Sequence, residues 1–331
     1  MNSSDTIAVA SRSFSNNEEL TSVLKKKYSN IILNKTGKTL EGQELLNFLS
    51  SADKAIIGIE EISIALLAQL PKLKVISKYG VGLNNLDLDA ISSQGIMIGF
   101  TPGVNKQSVA ELALTLTLVA LKKIHRNHIE ITQGKWSQEK GSELFGKTIG
   151  LLGFGNIGQK FATLLQPFNC KIVFFDEKIF DDQELNNICN DLKLNQDLLQ
   201  QEEFFTVLNK ADILSIHLPL SAETKNIISA KDMHHLKESV SIINTARGGI
   251  VNELDLDKAL NEKMILAAGL DVFANEPVGL DNPLLKNNKV LLTPHTAALT
   301  NECKIRMAKE TAQNIIDFFE KKVNKNMLVN L

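Results

Sequence analysis

The stretch Thr148-Ile149-Gly150-Leu151-Leu152-Gly153-Phe154-Gly155-Asn156-Ile157-Gly158 decides the fold. Its first five residues are mostly apolar, and beyond Gly158 the positions Phe161, Leu164, Leu165 and Phe168 fall at helical spacing. The stretch predicts a strand, a glycine turn and a helix. In such a unit Gly153 permits the tight turn, Gly155 lets backbone approach a pyrophosphate, and Gly158 lets helix and strand pack closely. The helix N-terminus then offers phosphate its free N–H groups and the positive end of its dipole. Three glycines at this spacing also occur in ordinary strand–helix turns, so the next element matters. The following apolar run, Lys171 to Phe175, ends at Asp176, which stands 18 residues beyond Gly158. That is near the roughly 20 expected of an acid that binds ribose hydroxyls. A carboxylate there favours NAD, because a 2′-phosphate would meet like charge.

With 331 residues, 44% hydrophobic and 22% charged, the chain has globular composition and is long enough for two domains with cores of their own. A net charge of −2 without a dense basic block argues against nucleic acid or an anionic membrane as the main partner. The run Lys25-Lys26-Lys27 reads as a solvated helix end. Cys170, Cys189 and Cys303 lie far apart without metal-ligand spacing, so no metal site is expected and the thiols are read as reduced, in a cytoplasmic protein. The N-terminus lacks the basic and apolar regions of a signal peptide. Leu112 to Leu121 is too short to span a bilayer.

Short apolar runs at Thr6 to Ala10, Asn30 to Leu33, Lys54 to Ile59, Leu73 to Ser77 and Ile96 to Gly99 alternate with helical patterns at Glu18 to Tyr28, Glu41 to Leu49, Ser63 to Leu70 and Leu86 to Ser93. Such alternation predicts a parallel sheet with crossover helices. After the fourth run comes Tyr79-Gly80-Val81-Gly82, whose N–H groups could bind a small anion; a plain turn fits equally well. Thr101-Pro102-Gly103 reads as a hinge before one long helix from about Gln107 to His128. Gln133 to Lys147, with Trp136, is turn-rich and is placed at a domain or subunit boundary. The polar stretch from Asp176 to Gln201 reads as one helix plus surface loop. Strands follow at Asp212 to His217, Val240 to Asn244, Ile265 to Leu270 and Val290 to Leu292, which with the first two give a six-stranded Rossmann-type sheet. A last helix spans about Asn301 to Lys321, and no third domain is expected beyond it.

In open parallel sheets ligands sit beyond the carboxyl ends of the strands. Three strand ends there deliver Arg247, Glu276 and His295, while His217 and Pro219 reach the same edge beside the cofactor. Hydride transfer needs a cation that fixes a carboxylate and polarises a carbonyl, and a group that exchanges the hydroxyl proton. Arg247 supplies a planar, permanently charged fork. His295 can act as base in oxidation or acid in reduction. A carboxylate on its other ring nitrogen, Glu276, would hold its proton and fix its tautomer. Singly, a loop Arg or Glu is commonly a surface ion pair and a His beside Pro a structural residue. Asp271 fits a structural role or a contact to the nicotinamide.

The combination resembles the D-isomer-specific 2-hydroxyacid dehydrogenases: GFGNIG with Asp176, HLPL around Pro219, NTARGGIVNE around Arg247, GLDVFANEP around Glu276 and LLTPHTAA around His295. KYGVGLNNLDLDA and GVNKQSVAELAL resemble the family's substrate loop and connecting helix. The resemblance implies two Rossmann-like or flavodoxin-like parallel-sheet domains, with the nucleotide domain (residues 104–296) inserted in a substrate domain (1–103 and 297–331). It implies an active site in the cleft between them and a homodimer formed through the nucleotide domain. Carried onto matching positions, it puts cofactor contacts at Gly153, Gly155, Asn156, Ile157, Gly158, Asp176, Leu218, Pro219, Thr224, Thr245, Ala246, Asp271, Ala297 and Val109. Substrate contacts fall at Tyr79, Gly80, Val81, Gly82 and Arg247. The pattern stands nearest the phosphoglycerate dehydrogenase branch, and hence serine biosynthesis. Two departures stand against that: Gly58-Ile59-Glu60-Glu61 replaces a basic turn that would hold phosphate, and Ala297-Ala298 replaces a common Gly-Gly. A glyoxylate or hydroxypyruvate reductase is the alternative within the fold. Formate dehydrogenases pair the His with Gln, whereas Glu276 stands here. An NAD-sensing corepressor is the rival from another class, and predicts disordered tails.

Overall fold

The computed structural model describes residues 3–319 and 328–329. The chain forms two units, Met1–Asn105 with Asn301–Leu331, and Lys106–Thr300. The first begins with β1 (Ser3–Val9), α1 (Arg12–Ser15), α2 (Glu18–Lys25), β2 (Tyr28–Leu33), α3 (Gly42–Leu49), β3 (Lys54–Ile57), α4 (Ile64–Leu67), β4 (Val75–Lys78), α5 (Leu88–Ser93) and β5 (Met97–Gly99). The helices start where side chains cap them: Asn17 accepts from Leu20 N, Ser63 from Leu66 N and Asp87 from Ala90 N. The five strands pair in parallel in the order β5-β4-β3-β1-β2. That is the flavodoxin-like order expected of βα alternation. Their β-branched residues, Ile7, Val9, Ile56, Ile57 and Ile76, are fully or almost fully buried. Strand β3 ends at Ile57, two residues earlier than its apolar run suggests, because Gly58 N turns to the Glu60 carboxylate, 2.6 Å away, and Ile59 projects into solvent at 70% exposure.

The second unit opens with α6 (Lys106–Lys122) and α7 (Ile124–Thr132). The sequence suggests one continuous helix here. The chain breaks it at Lys123, which takes a left-handed conformation (φ 52°). Then come β6 (Thr148–Leu152), α8 (Asn156–Leu165), β7 (Lys171–Phe175), α9 (Asp182–Leu192), β8 (Leu199–Gln201), α10 (Phe204–Lys210) and β9 (Ile213–Ile216). The unit continues through α11 (Ala230–Met233), β10 (Ser241–Asn244), α12 (Glu253–Asn261), β11 (Ala267–Leu270) and β12 (Val290–Leu292). The sheet order is β12-β11-β10-β9-β6-β7-β8, parallel throughout, so it has seven strands and not the six read from apolar runs. The missed strand, β8, is an edge strand of Leu199-Gln200-Gln201 paired only to β7, so it needs no apolar face on both sides. One face of the sheet buries Leu214, Ile216, Ile242 and Leu270. The other buries Ile149, Leu151, Phe174 and Ile243 against Ala113, Leu116 and Phe161.

Finally α13 (Asn301–Phe319) returns to the first unit, where Ala308, Ala312 and Ile315 pack with Ile7, Val9 and Phe14. Ser77 Oγ donates to Thr311 O at 2.9 Å, tying α13 to β4. A two-residue strand, β13 (Leu328–Val329), pairs antiparallel with β5, an edge addition that the sequence does not announce. The final turn proposed for the last helix, residues 320–321, lies outside the described residues.

Candidate active site

The turn after β6 is built of backbone. Gly153 has φ +96°, and a Cβ there would stand 2.8 Å from the carbonyl group of His217. A Cβ on Gly158 would overlap the carbonyl of Gly153. Gly155, by contrast, would meet nothing within 4 Å, so backbone faces open space there. Gly155 is also the N-cap of the ten-residue α8 and makes no side-chain cap, which leaves the first N–H groups available to an anion. Asn156 is exposed and Ile157 half-buried. Asp176 ends β7, its Oδ2 accepting from Phe154 N at 2.7 Å and its Oδ1 from Lys178 N at 3.0 Å. The carboxylate thus braces the glycine turn and retains lone pairs for ribose hydroxyls. Thr245 Oγ1, beyond β10, is buried with no hydrogen-bond partner among the described residues. An orphaned hydroxyl, an uncapped helix start and an open glycine backbone together fit a bound dinucleotide.

Beyond β10, β11 and β12 the turns are built of side chains. Asn244 Oδ1 accepts from Ala246 N at 3.0 Å and its Nδ2 donates to Arg247 O at 2.9 Å, which fixes the Arg247 turn. Arg247 Nη1 donates to Ala246 O at 2.7 Å. Burial lowers the guanidinium pKa from its ordinary value, and the nearby Glu276 charge opposes that. Glu276 Oε1 accepts from Phe273 N at 3.0 Å, and Oε2 meets His295 Nδ1 at 2.7 Å. His295 Nε2 is therefore the nitrogen left for a substrate proton. His295 itself has φ +52°, a costly conformation for a residue with a Cβ. What holds it there is Asp271. This fully buried carboxylate accepts from Thr293 Oγ1 at 2.6 Å, Thr296 N at 2.8 Å and Ala297 N at 2.9 Å, while its backbone O takes His295 N at 2.8 Å. With Thr296 Oγ1 at 3.2 Å, four donors on the carboxylate compensate its buried charge. These bonds give Asp271 a structural role in the turn that carries His295.

The remaining residues fall as follows. Leu218 packs on the apolar core of the second unit and Pro219 is exposed. Thr224 Oγ1 donates to Pro219 O at 2.6 Å and accepts from Ser221 N at 2.8 Å, so it shapes that turn. Val109 and Ala297 are buried, and Ser108 Oγ donates to Ala297 O, joining α6 to the turn after His295. His217 lies against the glycine turn, its carbonyl group beside Gly153 and its ring near Gly158. Its Nδ1 is buried without a partner among the described residues, its Nε2 meets Ser215 Oγ at 3.0 Å, and burial pulls its pKa down to about 3. Part of the residue still touches solvent.

In the first unit, Tyr79 turns its ring onto Phe14 (centroids 5.6 Å apart), and burial raises its phenol pKa. Gly80, with φ +130°, Val81 and Gly82 stay partly open. The cation at this edge, Lys78, is buried and donates to Gly58 O and, at 2.8 Å, to Asn85 Oδ1. Glu60 is buried as well, and what the Gly58–Glu61 turn shows to solvent is Ile59 and Glu61. Among the described residues no group of three or more His, Cys, Asp or Glu could hold a metal ion, and no helix is long and apolar enough to cross a membrane.

A doubly wound nucleotide-binding sheet carrying Arg, Glu and His on three adjacent strand ends defines an NAD-dependent oxidoreductase. The chain belongs to the D-isomer-specific 2-hydroxyacid dehydrogenases: residues 114–297 match the family model described as "D-isomer specific 2-hydroxyacid dehydrogenase, NAD binding domain". It is 33% identical over 303 residues to a hydroxypyruvate reductase of Thermotoga maritima, covering 88% of this chain and 94% of that one. It is 34% identical over 275 residues to a D-3-phosphoglycerate dehydrogenase of Mycobacterium leprae, covering 82% of this chain but only 50% of that one. A protein of Thermus thermophilus, TT0316, superposes with a TM-score of 0.84 at 26% identity, over 98% of this chain and all of the other.

Proposed function

We propose that the chain reduces a small, unphosphorylated 2-oxo acid of the glyoxylate or hydroxypyruvate kind with NADH. The observation that carries this reading is Lys78: the cation at the substrate-loop edge of the first unit is engaged by Gly58 O and Asn85, and the neighbouring turn presents Ile59 and Glu61. A phosphoryl group at that turn would meet like charge, with Lys78 already engaged. The Thermotoga relative, matched along nearly its whole length, agrees with this reading, whereas the serine-pathway role suggested by the phosphoglycerate-like motifs rests on a relative of which half is unmatched.

NADH held at the Gly153–Gly158 turn of the second unit would supply the hydride that reduces C2 of the oxo acid. Arg247 holds the substrate carboxylate and polarises the carbonyl. His295 Nε2 gives the carbonyl oxygen its proton, and the Glu276 carboxylate on Nδ1 holds the ring in orientation for the transfer. Gly80, Val81 and Gly82 are assigned to substrate recognition, with Tyr79 supporting them from the core. The deciding experiment is a set of initial rates with NADH against glyoxylate, hydroxypyruvate, phosphohydroxypyruvate and 2-oxoglutarate. A kcat/KM highest for phosphohydroxypyruvate would overturn the substrate reading, and inactivity on all four would favour the corepressor alternative.

The assembly we propose is a homodimer through the second unit, in a cytoplasmic protein whose three cysteines are buried and form no disulfide. Ile124, Ile131, Trp136 and Phe145, on and after α7, are 51%, 53%, 81% and 65% exposed, an apolar surface suited to a second copy. Light scattering should give twice the chain mass, and a monomer at micromolar concentration would refute it.

A further inference from the structure

Between Phe273 and Leu284 no residue is buried, yet this stretch carries Glu276. The loop borders an open pocket of about 440 Å³, lined in part by Asn226, Leu254, Asn275 and Asp281. Its internal bonds, Phe273 N to Glu276 and Asn282 N to Gly279 O at 3.1 Å, shape it without anchoring it. One anchor is steric: Gly248 lies so close to Phe273 that a Cβ would overlap that residue's carbonyl. The other is Glu253, at the start of α12. Its Oε1 accepts from Ala274 N and its Oε2 from Asn282 Nδ2, both at 2.6 Å.

We propose that Glu253 is a positioning residue, its carboxylate bridging both ends of the loop that presents Glu276 to His295. An acid in the first turn of a helix is ordinarily explained by the helix dipole. Here Asn252 caps α12 by accepting from Asp255 N at 3.1 Å, and both Glu253 oxygens face the loop instead. Bonds to an ionised acceptor are roughly twice as strong as neutral ones, and two of them close the loop where apolar contacts are missing. The charged groups around the pair are Arg247 and Asp271, the latter turned to the Thr293–Ala297 segment, with Glu253 behind. Without Glu253 the Glu276 carboxylate would leave its 2.7 Å contact with His295 part of the time.

The inference rests on Glu276 and His295 being the acid–base pair, so the test carries both. Reduction is followed from acid to alkaline pH for wild type, Glu253→Ala, Glu276→Gln and the double variant, with NADH binding titrated in each. Glu253→Ala should lower kcat about tenfold at neutral pH, inside the roughly 100-fold that a small misplacement can cost. It should move the upper limb of the profile to lower pH, as Glu276→Gln does, and leave NADH affinity within about twofold. In the double variant the shift should equal that of Glu276→Gln alone, because the two act through one contact. A shifted Glu276→Gln profile with an unshifted Glu253→Ala profile, or two shifts that add, overturns the positioning role. An unshifted Glu276→Gln profile overturns the acid–base reading instead. Should Glu253→Ala fail to fold, Asn282→Ala removes one of the two bridges and must show the same shift in smaller measure, or the proposal falls.

Discussion

The turn after β6 and the turns after β10, β11 and β12 sit on one sheet edge but are made of different material. The first is glycine backbone closed against a carbonyl group and a helix start, braced by the side chains of Asp176 and Gln159. The others are side chains held by carboxylates and amides: Asn244 under Arg247, Glu253 beside Glu276, Asp271 under His295. A backbone site should fail when volume is added, and a side-chain site when a charge is removed. The two halves should therefore lose different functions.

The sharpest contrast sets His295→Ala against Gly158→Ala. Loss of the acid–base group should cost roughly 100-fold or more in kcat with NADH binding nearly unchanged. A methyl on Gly158 would overlap the Gly153 carbonyl, so backbone would have to shift. That variant should lose at least about tenfold in NADH affinity and several degrees in Tm, as overpacking does. Equal NADH affinities in the two variants would erase the distinction.

Next in size is Asp271→Asn, isosteric but uncharged. The new amide must face at least one of the N–H donors that Asp271 now accepts from, leaving a buried donor unmatched. A loss of about 2 kcal/mol is expected in denaturant unfolding. Turnover should fall with it, because His295 depends on the same turn for its φ of +52°. Unchanged stability would show that the clamp is dispensable.

Asp176→Ala tests the exception, a side chain in the backbone-built half. It should narrow the preference for NAD over NADP about tenfold, the loss of a charged hydrogen bond. Since the same carboxylate accepts from Phe154 N, absolute affinity for NADH should drop as well. A native preference for NADP would remove Asp176 from the ribose.

Much of this edge was legible in the sequence because its parts are local. Glycine spacing, an acid at the end of the next strand and three reactive residues at strand ends can each be read along the chain. Contacts between distant segments were harder to see. Glu253 reads as an ordinary first-turn acid until the fold brings Ala274 and Asn282 to it. The short edge strand β8, Leu199-Gln200-Gln201, carries no apolar alternation because only one side of it is paired. Lys123 is not a residue that marks a helix end, yet a left-handed residue there separates α6 from α7. His217 follows an apolar strand like the reactive residues, so strand-end logic placed it at the ligand edge. Only the packing of Gly153 and Gly158 against it shows that it lies beneath the turn.

That position gives the smallest effect and one that crosses the two halves, since a titratable side chain sits under the backbone-built turn. Burial holds His217 neutral, with its pKa lowered from 6.5 to about 3. In the unfolded chain the ring takes up a proton as pH falls through 6.5, while in the native chain it resists down to about 3. Within that window the unfolded state binds more protons, so native stability rises with pH and is lost as pH falls. Full burial would give about 1.4 kcal/mol per pH unit. Because part of the residue touches solvent, about 1 kcal/mol lost by pH 5 is the expected share. Thermal melts at pH 7.5 and pH 5 should therefore show a smaller acid loss in His217→Gln than in wild type. A variant that loses as much stability on acidification as wild type would show that His217 is not the group that titrates.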